Sequence, residues 1–189
     1  MEYQDVLLTI GRLLEKQGID YFVTGSLAIS VYGRPRSSHD FDFKVVVIPQ
    51  KKDNFSSFLN DLPNDFSFDK ESLLQAAAEN YQHNIFYLPE NLKIDLWFGI
   101  NRPLDKICFQ RKIKQTIAGK KIYFISPEDL ILIKLDWYKK SHSDRHLEDA
   151  ASVFQIQKNL DQKYLFLWAK KLKLTRFLKT LKSFPLQQW

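Results

Sequence analysis

The chain has 189 residues, of which 44% are hydrophobic and 14% aromatic, so it can bury a real core and is not intrinsically disordered. Its one cysteine, Cys108, excludes an internal disulfide, and no stretch approaches the ~18 uninterrupted apolar residues of a membrane span. The N-terminus carries charges throughout and no signal-peptide pattern, so we expect a soluble, cytoplasmic protein with no membrane partner.

The net charge of +6 is unevenly distributed along the chain. From residue 158 to the end there are eight basic residues and one acid, so this tail carries +7 and the first 157 residues carry −1. Such asymmetry indicates a polyanionic partner or, with equal weight, a solvated helix face.

Helical and strand patterns alternate up to about residue 125. An amphipathic helix is predicted to end at Gly18, and a short strand to end at Gly25. Ser26 is a candidate N-cap for a helix that ends at Gly33. The elements predicted next are a strand at 39–48, a helix from Pro49 to before Pro63, a short strand and a helix within 66–80, a hairpin at 83–99, and a second hairpin turning at Gly119.

The pattern becomes all-helical after Ser126. Ser126 followed by Pro127 and two acids is a strong helix start. A second helix is predicted at 143–157, and the basic tail predicts one or two more. We therefore expect an α/β fold with a small mixed β-sheet flanked by helices over residues 1–125, and a helical region with the basic tail over residues 126–189.

Two carboxylates open the strand predicted at 39–48. Asp40 and Asp42 are two residues apart, so they share one face of the strand, while Phe41 and Phe43 share the other. Two like charges so close together are unfavourable unless a cation neutralises them. Mg²⁺ suits carboxylate oxygens and usually binds one or two of them together with substrate phosphates. The alternative is a pair of surface acids that form caps or salt bridges.

Three further features favour a metal and phosphate site. Asp95 interrupts an otherwise apolar strand, which places a third acid in the sheet. Gly25-Ser26 lies at a strand-to-helix junction, where backbone N–H groups can bind a phosphate. The cations and hydroxyls that polyphosphates prefer, Arg34, Arg36, Ser37 and Ser38, lie just before the two aspartates.

These motifs resemble those of the nucleotidyltransferase superfamily, which shares its catalytic core with DNA polymerase beta. The pattern is a hydrophobic residue with Gly-(Gly/Ser), then Asp-h-(Asp/Glu)-h after about nine to thirteen residues, and later h-(Asp/Glu)-h, where h is hydrophobic. Here Gly25-Ser26 is followed after thirteen residues by Asp40-Phe41-Asp42-Phe43, and Asp95 stands between Ile94 and Leu96. The resemblance covers approximately residues 5–155.

The helical half is similar to the downstream region of bacterial minimal nucleotidyltransferases, including the toxin-type enzymes of abortive-infection systems. In that family a helix lysine and an Arg-x-x-x-Asp on the next helix face the active site, and the matching positions here are Lys134, Arg145 and Asp149. Arg145 and Asp149 are four apart on a helix, so they can pair, and an exposed ion-pair cluster is the alternative reading.

The resemblance implies transfer of a nucleoside monophosphate from a nucleoside triphosphate to a hydroxyl, with release of pyrophosphate. Asp40, Asp42 and Asp95 would hold Mg²⁺ or Mn²⁺, and Asp95 is the candidate general base. Gly25, Ser26, Arg34, Arg36, Ser37, Lys134, Arg145 and Asp149 are the candidate nucleotide-binding residues. Trp97, near Asp95, is the tryptophan that could touch a nucleobase.

The acceptor and the biological setting stay open at this point. An RNA or protein hydroxyl is favoured over a small molecule because of the basic tail. A role in a toxin–antitoxin or phage-defence system follows only from the resemblance. The alternatives are an antitoxin or regulator with this fold that acts on a partner protein, a weakly catalytic nucleotide-binding module, and a non-catalytic RNA-binding protein.

Overall fold

A computed structural model describes residues 1–186 of the chain, which form two compact units. The first unit comprises Met1–Leu27 and Ser37–Ile125, and the second comprises Ala28–Arg36 and the chain from Ser126 onward. The helices are α1 (Tyr3–Lys16), α2 (Gly25–Tyr32), α3 (Lys52–Asn60), α4 (Lys70–Glu79), α5 (Pro103–Arg111), α6 (Pro127–Ser141), α7 (Asp144–Ile156), α8 (Gln162–Lys171) and α9 (Thr175–Thr180). The strands are β1 (Asp20–Thr24), β2 (Asp40–Val46), β3 (Phe66–Ser67), β4 (Gln82–Tyr87), β5 (Leu92–Phe98), β6 (Ile113–Ile117) and β7 (Lys120–Phe124).

The strands form one mixed sheet in the order β3-β4-β5-β2-β1-β7-β6. β2 lies at the centre of this order, antiparallel to β1 and parallel to β5. Its inward residues Phe41, Phe43 and Val45 are fully buried, as the alternating pattern predicts. β1 runs parallel to β7, and the remaining neighbours are antiparallel. The predicted α/β class with a mixed sheet is confirmed.

Most predicted elements are present in the first unit. The predicted hairpins are β4–β5 and β6–β7, and both are antiparallel. α1 buries the apolar stripe that the sequence shows, including Val6, Ile10 and Leu14. The segment from Pro49 begins with one 3₁₀ turn before α3, because proline is well tolerated at the first position of a helix.

Helix α5 is an element that the sequence reading left unassigned. Pro103 stands at its first turn, and the buried Asp105 accepts hydrogen bonds from the backbone N–H of Arg102 at 3.0 Å and from its guanidinium at 2.8 Å. Proline at the first position with an acid two residues later is a helix-start signal. The helix was therefore readable from the sequence.

The predicted role of Ser26 as an N-cap is wrong. Helix α2 begins at Gly25, so Ser26 lies inside its first turn and is buried. The reason is the φ of +65° at Gly25, which lets the backbone turn from β1 into the helix one residue earlier than a capping serine would.

The second unit is helical. Ser126 caps α6 as predicted, since its hydroxyl accepts from the backbone N–H of Asp129 at 3.2 Å. Helix α6 packs against α7 and α8. Glu128 of α6 accepts a hydrogen bond from the backbone N–H of Asp161 at 2.9 Å, which ties the start of α8 to α6. Over residues 1–186, no helix combines the length and apolar character needed to cross a membrane.

Candidate active site

The strand β2 presents its two aspartates on the face opposite its buried phenylalanines. Asp40 and Asp42 are both partly exposed, whereas Phe41 and Phe43 are fully buried. The apolar residues drive the strand into the core, and the alternation of side chains then puts both carboxylates on the other face.

The register of β2 with β5 brings the third aspartate to the same place. The Cα atoms of Asp42 and Asp95 are direct partners in the parallel pair, and those of Asp40 and Lys93 are partners one step earlier. Adjacent strands lie ~4.8 Å apart, so the side chains of Asp42 and Asp95 are neighbours on one face. Asp95 is only 6% exposed. The sheet therefore gathers the three acids that the sequence singled out.

The ammonium of Lys93 lies at this acidic face. Its Nζ lies 2.9 Å from Oδ2 of Asp95 and 3.9 Å from Oδ1 of Asp40. The hydrogen bond to Asp95, with the negative charges of all three aspartates, raises the pKa of Lys93 above its ordinary value. One ammonium thus partly neutralises three carboxylates.

Two neutral side chains orient the carboxylates. Nε2 of Gln82, on β4, donates to Oδ1 of Asp95 at 2.7 Å. The indole Nε1 of Trp97, on β5, donates to Oδ1 of Asp42 at 3.2 Å. Trp97, which the sequence singled out as the tryptophan that could touch a nucleobase, thus has the carboxylate of Asp42 as one partner.

Gly25 is required by the position of Asp42. A Cβ at Gly25 would lie 2.5 Å from Cγ and 2.8 Å from Cβ of Asp42, and the φ of +65° at this position is one that L side chains rarely adopt. Because Thr24 pairs directly with Asp42 across β1 and β2, the residue after Thr24 necessarily passes close to that side chain. The glycine of the Gly-Ser motif is thereby explained.

The donor set suits a hard divalent cation, with an adjustment of side chains. Among residues 1–186, no three His, Cys, Asp or Glu side chains are already grouped as ligands around one point. The backbone register nevertheless aligns three carboxylates on one face, and the cation now in contact with Asp95 is Lys93. Metal binding by Asp95 through Oδ2 requires the ammonium of Lys93 to move off that oxygen.

The second unit contains a separate cluster of predicted residues. Oδ2 of Asp149 lies 2.8 Å from Nζ of Lys134, and its Oδ1 accepts from Nε of Arg36 at 3.2 Å. Lys134 and Asp149 are 3% and 5% exposed, so this ion pair is buried. Two cations share one carboxylate, which leaves the cluster with surplus positive charge.

Arg145 does not join that cluster. The expected pairing of Arg145 with Asp149 is not observed in the described part of the chain, where Asp149 pairs with Arg36 and Lys134 and Arg145 is exposed. His146, one residue further, lies edge-on to Trp137 at 5.3 Å between ring centres, and burial first and the charge of Lys134 next lower its pKa.

The remaining predicted nucleotide-binding residues are divided between the units. Ser26 is buried in the first turn of α2 within the first unit, and Ser37 is exposed there. Arg34 belongs to the second unit, where its backbone N–H donates to Oγ of Ser152 at 3.4 Å. The structure thus places Asp40, Asp42, Asp95, Gly25, Ser26 and Ser37 in the first unit and Arg34, Arg36, Lys134, Arg145 and Asp149 in the second.

Sequence reasoning missed Lys93 and Gln82. Lys93 stands two residues before Asp95, which is the spacing that puts two residues on one face of a strand, so a signal was present. Gln82 lies on another strand and reaches Asp95 only through the pairing of β4 with β5. No pattern in one chain reveals that contact.

Several solved structures have a similar fold. Over 93% of this chain and 91% of the other, the fold is similar to an antigenic nucleotidyltransferase-like protein from Paracoccidioides brasiliensis, with a TM-score of 0.59 and 20% identity. The structure of ANT(2")-Ia in complex with adenylyl-2"-tobramycin has a TM-score of 0.53 and 10% identity, with 97% and 98% of the two chains covered.

A third similar structure is the lincomycin-bound lincosamide antibiotic adenylyltransferase LnuA, with a TM-score of 0.51, 12% identity and 83% and 98% of the chains covered. The sequence itself matches no family model and no curated protein. At these identities the similarities establish a shared fold and nothing beyond it. They confirm at the level of fold the resemblance that the motifs predicted.

Proposed function

We propose that this protein is a divalent-metal-dependent nucleotidyltransferase that moves a nucleoside monophosphate from a nucleoside triphosphate to a hydroxyl acceptor. The observation that carries the proposal is the convergence of Asp40, Asp42 and Asp95 on one face of the sheet, with Gly25 held against Asp42. Asp42 and Asp95 stand at paired positions of neighbouring strands, with Asp40 two residues before Asp42, and a divalent cation stabilises like charges gathered in this way.

Asp40 and Asp42 would hold Mg²⁺ or Mn²⁺ and Asp95 would complete the set. When bound, the cation neutralises phosphate charge and increases the acidity of the acceptor hydroxyl. Gln82 keeps Oδ1 of Asp95 fixed through its 2.7 Å hydrogen bond, and Trp97 does the same for Oδ1 of Asp42. Each carboxylate therefore presents its second oxygen in a defined direction.

Asp95 is assigned as the general base. Once the ammonium of Lys93 has moved off it, Oδ2 of Asp95 would take the proton of the acceptor hydroxyl while the acceptor oxygen forms a bond to the α-phosphorus. The bond from the α-phosphorus to the bridging oxygen of the β-phosphate breaks, and pyrophosphate leaves with that electron pair. The buried position of Asp95, at 6% exposure, limits the access of competing water.

Phosphate binding is assigned to two groups of residues. The backbone N–H groups at the start of α2, with Ser26, offer donors that favour anions. In the second unit, the surplus positive charge of Arg36 and Lys134 over Asp149 has the chemistry to hold a phosphate. Arg34, Ser37 and Arg145 stay as nucleotide-binding candidates on residue type alone.

The acceptor is proposed to be a hydroxyl of a macromolecule, since the basic tail has no use in binding a small neutral acceptor. A small-molecule hydroxyl is the second candidate. It is favoured by two structures of similar fold, one with adenylyl-2"-tobramycin and one of a lincosamide adenylyltransferase. A role in a toxin–antitoxin or defence system extends the first candidate and predicts slowed growth on expression, relieved by Asp42→Asn.

The proposal is tested by identifying what becomes labelled. The protein is incubated with each α-³²P-labelled nucleoside triphosphate and Mg²⁺ or Mn²⁺. The acceptors are total RNA, protein lysate, and aminoglycoside and lincosamide antibiotics, each in its own reaction. Label in one acceptor class, dependent on metal and lost in Asp42→Asn, is the expected result. Metal-independent label, or label that persists in Asp42→Asn, would refute it.

Asp95→Asn separates the base from an ordinary ligand. We expect transfer to be lost while most of the thermal stabilisation by nucleotide and metal is kept, because Asp40 and Asp42 remain. Parallel loss of transfer and of nucleotide binding would show that Asp95 is only a metal ligand. Circular dichroism of the variant verifies that the sheet is intact.

A further inference from the structure

Helix α8 shows two opposite faces. It buries Leu165 and Ala169, which are fully inaccessible, and it exposes Phe166 and Leu167 at 47% and 53%. Single exposed apolar residues are common, and large contiguous ones mark binding surfaces. Phe166 and Leu167 give this side of α8 apolar area that is open to a ligand.

Lysines flank these apolar side chains. Lys163 and Lys170 lie three or four residues from both Phe166 and Leu167, and Lys171 lies four residues from Leu167, so all three are their neighbours on the helix surface. All three lysines are exposed. We call this set of five residues, Lys163, Phe166, Leu167, Lys170 and Lys171, the α8 face.

The same combination of ring and cation continues along the chain. Nζ of Lys171 lies 4.7 Å from the ring centre of Trp168, and the guanidinium carbon of Arg176 lies 4.4 Å from that of Phe177. Residues 162–186 contain seven basic residues and no acid. Aromatic rings and positive charges therefore lie side by side along this part of the chain, and the nearest acid before it is Asp161, the N-cap of α8.

We propose that the α8 face docks single-stranded RNA. Bases stack on aromatic side chains whatever their sequence, and lysines contact the phosphates between them. An acidic protein segment is the competing ligand, but protein interfaces usually mix both signs of charge to set their register. The α8 face itself carries three lysines and no acid, which fits a ligand with one negative charge on every repeating unit better.

The claim that RNA binds the α8 face does not depend on the proposed activity. The claim that this RNA is also the acceptor rests on the proposed function. The two can fail separately, because RNA binding is measured without triphosphate or metal. Transfer to a small molecule with intact RNA binding would remove the acceptor role alone.

The test is anisotropy of a fluorescein-labelled oligouridylate titrated with the full chain at several NaCl concentrations in EDTA. In Lys170→Gln/Lys171→Gln, we expect the slope of log affinity against log salt to fall by about 1.4, which corresponds to two phosphate contacts on a single strand. The matched control, Lys120→Gln/Lys121→Gln, removes the same charge from two exposed lysines of the β6–β7 hairpin and should keep the wild-type slope.

Phe166→Ala tests the aromatic contribution. We expect about tenfold weaker binding with an unchanged salt slope, because stacking involves no counterion release. Phe86→Ala, which truncates a phenylalanine that is 40% exposed in the first unit, should bind as the wild type does. Both side chains are on the surface, so urea denaturation should show similar stability for the two variants.

Three results would overturn the proposal. The first is wild-type affinity for oligouridylate weaker than ~10⁻⁴ M at low salt. The second is an equal loss of slope in the two double-lysine variants. The third is displacement of the oligonucleotide by polyglutamate at equal charge concentration with the same sensitivity to Phe166→Ala, which would assign the α8 face to an acidic protein.

Discussion

The two units of this protein concentrate charge in opposite ways. On β2 and β5, three aspartates lie on one face of the sheet, and the ammonium of Lys93 pairs with two of them, Asp40 and Asp95. In the second unit, Arg36 and Lys134 share the one carboxylate of Asp149, so that site carries surplus positive charge. The first cluster is therefore rich in acids and the second in cations, which is the contrast on which the proposed metal and phosphate sites rest.

In each cluster one residue has the opposite charge to the others and pairs with more than one of them. This shared counter-charge is Lys93 in the first cluster and Asp149 in the second. Removing one of the like-charged residues leaves the shared counter-charge paired with the rest. Removing the shared counter-charge leaves like charges facing each other. The effect should be larger in the second cluster, because Lys134 and Asp149 are buried, whereas the side chain of Lys93 is 34% exposed.

The largest expected effect is that of Asp149→Asn, which leaves Arg36 and Lys134 without a counter-charge. We expect the free energy of unfolding to fall by about 3 kcal/mol. Lys134→Met keeps the pair of Asp149 with Arg36 and should cost about 1.5 kcal/mol. Urea denaturation of both variants measures the difference. Equal losses in the two variants would show that removing the shared carboxylate of Asp149 is no more destabilising than removing one of its two cations.

The next effect concerns the close approach of Gly25 to the side chain of Asp42 in the first cluster. Gly25→Ala places a Cβ against Asp42 and should lower the free energy of unfolding by about 2.5 kcal/mol and disturb metal binding. Gly119→Ala is the matched control, because its φ is also positive, at +75°, but nothing lies within 4 Å of the added atom. That control should cost about 1 kcal/mol from backbone strain alone. Similar values for the two variants would contradict the contact with Asp42.

A smaller effect tests the competition between Lys93 and a metal ion. Without metal, Lys93→Met should be less stable than the wild type by about 1 kcal/mol, since Asp95 and Asp40 lose their paired ammonium. Mn²⁺ should then raise the melting temperature of the variant more than that of the wild type, because no ammonium has to leave Asp95. Lys120→Met changes the net charge equally and should respond to Mn²⁺ as the wild type does. A smaller response of Lys93→Met would show that Lys93 assists the metal.

The smallest effect is a pH dependence of the second cluster. Burial, helped by nearby Lys134, lowers the pKa of His146 in the folded protein below the 6.5 of an unperturbed histidine. Below pH 6.5 the unfolded chain therefore binds more protons at His146 than the folded protein does. The stability that depends on a neutral His146 is complete above pH 6.5 and is lost as the pH falls through the folded pKa. His146→Gln should reduce the drop in melting temperature between pH 7 and pH 5, whereas His39→Gln, at an exposed position, should not. An unchanged drop in His146→Gln would contradict the shift.

Local patterns were enough to predict most elements of the fold. The alternation of Asp40 and Asp42 with Phe41 and Phe43 predicted the central strand, because burial of one face follows directly from a period of two. The cap at Ser126 predicted the start of α6 for an equally local reason. Helix α5 was overlooked although Pro103 and Asp105 mark its start, so that omission concerns a signal that was present.

By itself, the sequence determined the fold class, the order of the elements and the three carboxylates with the Gly-Ser turn, because each depends on residues near one another in the chain. Only the tertiary structure decided which side chains complete the two clusters. The contact of Gln82 with Asp95 depends on strand register, and the pairing of Asp149 with Arg36 rather than with Arg145 depends on chain segments more than a hundred residues apart. Such partners are selected by the packing of whole elements, which no local spacing encodes.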